Sequence, residues 1–206
     1  MLTFSGLFYT TWDTKLFLSF YMNHIETTKK VIREELNSNI KKLNQLAGGI
    51  INSVFLCELE NYKVILKINN SLKFPGIFEK EKKGLLKLNK SGVETPQVIF
   101  ERVKDSLAFL ALEYIPNGNF GNWELFGEKL AILHTNKNEF FGLDYDNYIG
   151  SLKQMNKNEN NWKDFYSNQR ILHLTKFAFN RELLSKTDSK KLEELCVKLD
   201  EYIPFS

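Results

Sequence analysis

Residues 78–90 read FEKEKKGLLKLNK, and one residue in the stretch sits on the wrong side. Glu79, Lys80, Lys82, Lys83 and Lys87 suit a solvated helix surface. At about 100° per residue, however, Glu81 falls on the stripe shared by Ile77, Gly84, Leu85 and Leu88. A carboxylate on a half-buried apolar face is costly unless a cation meets it. The sequence offers one upstream. In YKVILKI (62–68), Tyr62, Val64, Leu66 and Ile68 share one face of a strand, so Lys67 projects from the other, beside Ile65.

Working outward, the apolar spacing Ile25, Ile32, Leu36, Ile40, Leu43, Leu46 predicts a helix that runs to Gly48-Gly49, where glycine accommodates the left-handed turn after a C-terminus. INSVFLCELE (51–60) and YKVILKI form a predicted hairpin turning at Glu60-Asn61. Pro75 stands just before the Glu81 helix, where its missing N–H is no loss, and SGVETP (91–96) ends that helix. QVIFERV (97–103) and LAFLALEYI (107–115) are two further strands, and PNGN (116–119) breaks the chain at its clearest boundary. A helix over WELFGEKLAILHTN, a polar and aromatic loop region from Phe140 to Trp162, and helical patterns to the end complete the reading. The expected class is α+β, divided into an extension at 1–24, a first lobe at 25–115 and a second, helical lobe at 116–206.

The composition allows a sizeable core: 206 residues, 43% of them hydrophobic. The net charge of +3 arises from lysines interleaved with acids rather than from a basic block, which gives no support to a nucleic-acid partner. Cys57 and Cys196 are far apart and form no CxxC pair, so neither a zinc site nor a disulfide framework is indicated, and a cytoplasmic setting is expected. The aromatic-rich residues 1–22 are interrupted by Asp13 and Lys15 and carry neither a membrane span nor a signal-peptide pattern. Met22, which opens a more regular amphipathic segment, is the expected alternative start.

Taken singly, Lys67 is readable as a solvated strand residue and Glu81 as an acid reaching the helix rim. Taken together with the order helix, glycine turn, hairpin, helix, two strands, polar break and helices, they follow the plan of a kinase N-terminal lobe. There a strand lysine holds the nucleotide phosphates and a helix glutamate orients it. The strings GGIINSVF, VILKIN, FEKEKKGLLKL, GVETPQVI and FLALEYI resemble the N-terminal lobe of the fructosamine kinase (ketosamine-3-kinase) family. The resemblance continues through GEKLAILH, FGLDYDNYIGSLKQMN and NWKDFYSNQRI.

That resemblance implies ATP and magnesium as cofactors, and phosphorylation of the sugar 3-hydroxyl of ketosamines, whether small molecules or glycated proteins. It gives Lys67 the phosphate-binding role and Glu81 the pairing role. Gly48, Gly49 and Asn52 fall in the loop over the nucleotide, and Glu113 and Ile115 in the hinge that meets the adenine edge. His134, Asn156, Trp162, Phe165 and Arg170 match family positions and are expected to be structural. Three features depart from the pattern. Lys153 stands where the family usually has proline, and Ile50 where many relatives have cysteine. The family's His-Gly-Asp-Leu-Trp loop with its following Asn, and the later Asp-Pro-Ala, are not found in these 206 residues.

The resemblance therefore implies a member truncated before its catalytic loop and inactive alone. The rival readings are a nucleotide-binding pseudokinase or regulatory module, and an interaction fragment that associates through its unfinished second lobe. Leu192, Leu195, Leu199 and Tyr202 form the candidate docking stripe for the latter.

Overall fold

The computed structural model describes residues 14–46, 51–118 and 121–203, with side chains from His24 onward. Five strands, β1 (Lys42–Gln45), β2 (Ser53–Glu58), β3 (Lys63–Asn70), β4 (Val98–Lys104) and β5 (Leu107–Glu113), form an antiparallel sheet in the order β1-β2-β3-β5-β4. Helix α1 (Thr14–Leu36) packs on one face of the sheet. Helix α2 (Ile77–Lys90), which joins β3 to β4, packs on the other.

Strand alternation sorts the side chains between these two helices. Val64, Leu66 and Ile68 of β3, with Leu107, Phe109 and Ala111 of β5, meet Val31 and Ile32 of α1. Ile65 of β3, with Ala108, Leu110 and Leu112 of β5, meets Phe74, Ile77 and Phe78 around the start of α2. β5 is buried on both faces, which is why its sequence is an unbroken apolar run rather than an alternating one. Lys104 and Arg102 of β4 reach Glu34 and Glu35 of α1 at 2.7 and 3.5 Å and fasten that helix at the sheet edge.

The first helix ends earlier than its apolar spacing predicts. It stops at Leu36; Asn37 takes a left-handed backbone (φ 46°), its N–H donating to Arg33 O, and Asn-Ser-Asn at 37–39 favours a turn over further helix. Residues 42–45 instead pair as β1 with β2, Lys42 opposite Glu58 and Gln45 opposite Phe55. Ile40 and Leu43 still pack on the core, from coil and strand rather than from a helix. The helix also begins ahead of Met22. Gly48 and Gly49 lie outside the described residues.

Beyond Glu113 the chain forms α3 (Trp123–His134), capped by Asn122 Oδ1, which accepts from the Glu124 and Leu125 N–H groups. A small hairpin of β6 (Asn147–Ile149) and β7 (Leu152–Gln154) follows. Then come α4 (Trp162–Tyr166), a π-helical turn (Ser167–Leu172), α5 (His173–Phe179), α6 (Lys186–Val197) and α7 (Leu199–Tyr202). The sequence predicts loop here, and the structure instead pairs three residues in each strand of a hairpin. Arg170, on the π-helical turn, holds its base: the guanidinium donates to Met155 O and to Asn156 Oδ1 (2.6 Å) and lies 4.6 Å from the centre of the Phe165 ring. Asn156, 1% exposed, passes the connection on through Nδ2 to Tyr145 O and Asn147 Oδ1. Gly142 is required beside it, because a Cβ there would sit 2.7 Å from Asn156 O.

Cys57, fully buried on β2, has its thiol pKa pushed up to about 11 by burial. The folded chain therefore keeps a proton that the unfolded chain gives up, and this contribution to stability is present below the ordinary cysteine value and lost as pH rises toward 11. Denaturant titrations should show stability falling across that window by up to about 3 kcal/mol more in the parent than in Cys57→Ala. Equal pH dependence in the two proteins would contradict this account.

Candidate functional site

The register of the sheet decides where Lys67 points. Opposite Val54 on one side and Leu110 on the other, it lies on the α2 face, two residues after Ile65. Helix α2 is held in phase by Ile77 and Phe78, both buried, and this turns Glu81 toward the sheet. Lys67 Nζ donates to Glu81 Oε1 at 2.5 Å, with the two side chains 18% and 29% exposed. The ammonium also lies 5.9 Å from the centre of the Phe78 ring, so an aromatic face adds to the carboxylate's attraction. The predicted pair is present, and neither member is at the solvated rim.

Asn69, on the same face of β3 two residues further on, donates through Nδ2 to Asn52 Oδ1 (2.5 Å) and to Ile51 O (3.1 Å). It therefore ties the segment that enters β2 to the strand that carries Lys67. Sequence reasoning missed Asn69, although its period-two spacing with Ile65 and Lys67 was the available signal. At the far end of β5, the Glu113 N–H donates to Gln97 O (2.9 Å) and its carboxylate accepts from the Gln97 N–H (3.1 Å). Ile115 follows in exposed coil. Glu113 thus ends the strand next to Lys67, opposite Val64, and Ile115 lies two residues beyond it. His134 is exposed in the last turn of α3.

Glu81 borders a cleft of about 700 Å³ between α2 and the β6–β7 hairpin, which is also lined by Asn52, Leu85, Leu88, Tyr145 and Tyr148. The hairpin is clamped to α2 through its aromatics. Tyr148 OH donates to Pro75 O (3.1 Å), and Lys80 Nζ lies 4.6 Å from the Tyr148 ring centre. Lys83, paired with Glu79 at 2.7 Å, lies 5.3 Å from the Tyr145 ring centre. Burial raises the Tyr145 hydroxyl pKa, helped by Asp144 and opposed by Lys83. Burial also works to raise the Asp146 carboxyl, but the Asn156 N–H and the Lys153 ammonium outweigh it, and the net shift is downward. Lys153, in the place of the family's usual proline, is therefore used here to hold Asp146 at 3.1 Å.

Comparisons with known proteins give the family and the fold. The family model for fructosamine kinase matches residues 24–204. The chain belongs to the fructosamine kinase family. Among curated relatives, a "Probable ketoamine kinase" from Lactiplantibacillus plantarum is 29% identical over 73% of this chain and 52% of its own length. A "Protein-ribulosamine 3-kinase, chloroplastic" from Arabidopsis thaliana is 29% identical over 72% of this chain and 47% of its own. The fold is that of a crystal structure titled "Putative fructosamine-3-kinase" from Haemophilus somnus 129PT, with a TM-score of 0.78 at 24% identity over 90% of this chain and 65% of that one. A second so titled, from Thermobifida fusca, has a TM-score of 0.75 at 26% identity. The chain spans about half the length of the curated relatives it matches.

Removing one partner of the half-buried pair strands the other. Glu81→Ala should lower stability by roughly 1–3 kcal/mol in thermal or urea unfolding. Lys67→Met combined with Glu81→Leu should cost clearly less than the sum of the two single changes, because no charge is left unpaired. Additive single and double variants would mean that the pair is not coupled.

Proposed function

We propose that these residues are the nucleotide-binding part of a ketosamine-3-kinase. Residues 25–115 serve as the nucleotide lobe, 116–206 as the opening of the second lobe, and 1–24 as an extension. The observation that carries this reading is the Lys67–Glu81 pair, whose acid borders an open cleft. Lys67 holds a positive charge where ATP phosphates bind, and Glu81 aims it and limits the cost of its partial burial. Gly48, Gly49 and Asn52 belong to the loop over the phosphates, and the tie from Asn69 supports Asn52 in that position. Because the Glu113 N–H is already engaged with Gln97, an adenine edge is met at that residue through the carbonyl, with Ile115 supplying the next backbone contact.

When bound, magnesium neutralises phosphate charge during transfer. Among the described residues no group of three or more His, Cys, Asp or Glu side chains is placed to hold a metal ion, so no ligand for it is assigned to this chain. The reaction of the complete enzyme is transfer of the ATP γ-phosphoryl group to the 3-hydroxyl of a ketosamine, on a small amine or on a glycated protein. The His-Gly-Asp-Leu-Trp and Asp-Pro-Ala motifs to which the resemblance gives the base and the metal ligands are not found in this sequence, and on that ground the 206 residues alone are expected to transfer no phosphate. No described helix is long and apolar enough to cross a membrane, and a cytoplasmic setting without nucleic-acid partners fits this reading.

Mg-ATP at a hundredfold excess over Kd should stabilise the chain by about 2.7 kcal/mol in thermal unfolding, and Lys67→Ala should abolish the effect. Incubation with fructosamine or ribulosamine substrates should yield no phosphorylated sugar. An unfolding curve indifferent to Mg-ATP would sink the nucleotide assignment, and phosphate transfer by the 206 residues would sink the claim of inactivity.

A further inference from the structure

Helix α2 carries Glu81 but does not fix its own entry. The residue that opens it, Gly76, stands in a left-handed backbone (φ 68°) and has no side chain with which to cap the first N–H groups. The carbonyl before it is held from two directions instead: Pro75 O accepts from Tyr148 OH at 3.1 Å and from Lys80 Nζ at 3.3 Å. The Tyr148 ring meets Phe74 edge-on, with 6.0 Å between ring centres, and the Lys80 ammonium lies over it. One turn along the helix, Lys83 lies over the Tyr145 ring in the same way. The two tyrosines therefore grip α2 at its entry and on the turn that carries Glu81.

The hairpin is the fixed side of this contact. Asn156, gripped by Arg170, donates through its N–H to Asp146 Oδ1 and through Nδ2 to Tyr145 O and Asn147 Oδ1, and none of these bonds involves α2. The turn of the hairpin reaches the other side of the site as well. Gly150 has φ 63°, and a Cβ there would stand 3.1 Å from Cδ1 of Ile51, the residue whose carbonyl accepts from Asn69. We infer that the β6–β7 hairpin is the device that sets the Lys67–Glu81 pair, with Tyr148 as its positioning residue. Its ring and hydroxyl fix the entry of α2, and with it the phase at which Glu81 meets Lys67. The phase matters because a slip of the helix by one residue turns Glu81 about 100° away from the sheet. The inference deepens the nucleotide-binding reading, on which its meaning for ATP rests, but the ion pair is measurable without nucleotide.

The test measures the coupling between Lys67 and Glu81 in the 206-residue chain, by a cycle of Lys67→Met and Glu81→Leu in urea unfolding, first in the parent and then with Tyr148→Ala. Tyr148→Ala should reduce the coupling to less than half. Amides of residues 79–84 should also exchange about tenfold faster, beyond any change shared with β5. Tyr148→Phe, which keeps the ring and loses the bond to Pro75 O, should give an intermediate coupling. Tyr148→Phe with Lys80→Met removes both donors to Pro75 O while keeping apolar bulk, and it carries the test if Tyr148→Ala does not melt cooperatively. Lys104→Ala, which loosens α1 on the opposite face of the sheet, is the control for general destabilisation and should leave the coupling intact. In the nucleotide arm, Tyr148→Ala should raise the Kd for Mg-ATP about tenfold, and Lys104→Ala should not. Three results would overturn the proposal: no coupling in the parent, coupling unchanged by the Tyr148 variants, or coupling lost equally with Lys104→Ala. A chain that ignores Mg-ATP while its ion pair still depends on Tyr148 overturns the nucleotide reading alone. Mg-ATP binding with a pair indifferent to Tyr148 overturns only the positioning role.

Discussion

The arrangement of the first lobe depends on one constraint: an ammonium on a strand and a carboxylate on a helix must reach the same point between sheet and helix. β3 meets this because Val64, Leu66 and Ile68 are committed to the α1 side, which leaves Lys67 no face but the other. A slip of one residue in the pairing of β3 would send Lys67 into the apolar layer under α1 and bring its neighbours out. α2 meets it because Ile77 and Phe78 dock first and fix the helix phase. The pair is thus a consequence of two apolar patterns, one of period two and one of period 3.6, brought to the same place.

The chain after Glu113 supplies the other wall of the cleft, held by polar contacts together with the packing of Tyr148 edge-on to Phe74, ring centres 6.0 Å apart. The β6–β7 hairpin has three residues in each strand and cannot be stable by itself. It is held from below by Arg170 and Asn156 and from the side by Tyr148 on Pro75 and Lys80. The π-helical turn at Ser167–Leu172 matters here, because the extra residue in that turn re-aims the side chains that follow, and Arg170 lies within it. Lysines that look like plain solvated helix surface, Lys80 and Lys83, are in fact the cations on which the hairpin's tyrosines rest.

What could be read in the sequence and what could not divides along the range of the forces involved. β3 and β5 were legible because their burial is one-sided or complete over seven residues or more, and α2 because its apolar stripe opens on the buried Ile77 and Phe78. Lys67 and Glu81 were legible for the same reason, as polar residues at positions where the period calls for apolar ones. The end of α1 was not. Ile40 and Leu43 keep the helical spacing from Leu36, and they do reach the core, but Asn37 turns the chain between them and β2 offers a partner that no local pattern announces. The hairpin was missed because three-residue strands carry no period, and Asn69 because its partners Ile51 and Asn52 are distant in sequence.

The half-buried ion pair meets the cleft through Glu81. As it stands, Glu81 borders a space open to water, whose high dielectric weakens both its attraction for Lys67 and any attraction of Lys67 for a phosphate. A ligand that fills the cleft displaces that water and lowers the local dielectric. The same two side chains, unmoved, would then exert a stronger field at the position of the phosphates. The preformed 2.5 Å contact between Lys67 and Glu81 allows this, because the charges need no rearrangement when the cleft is filled.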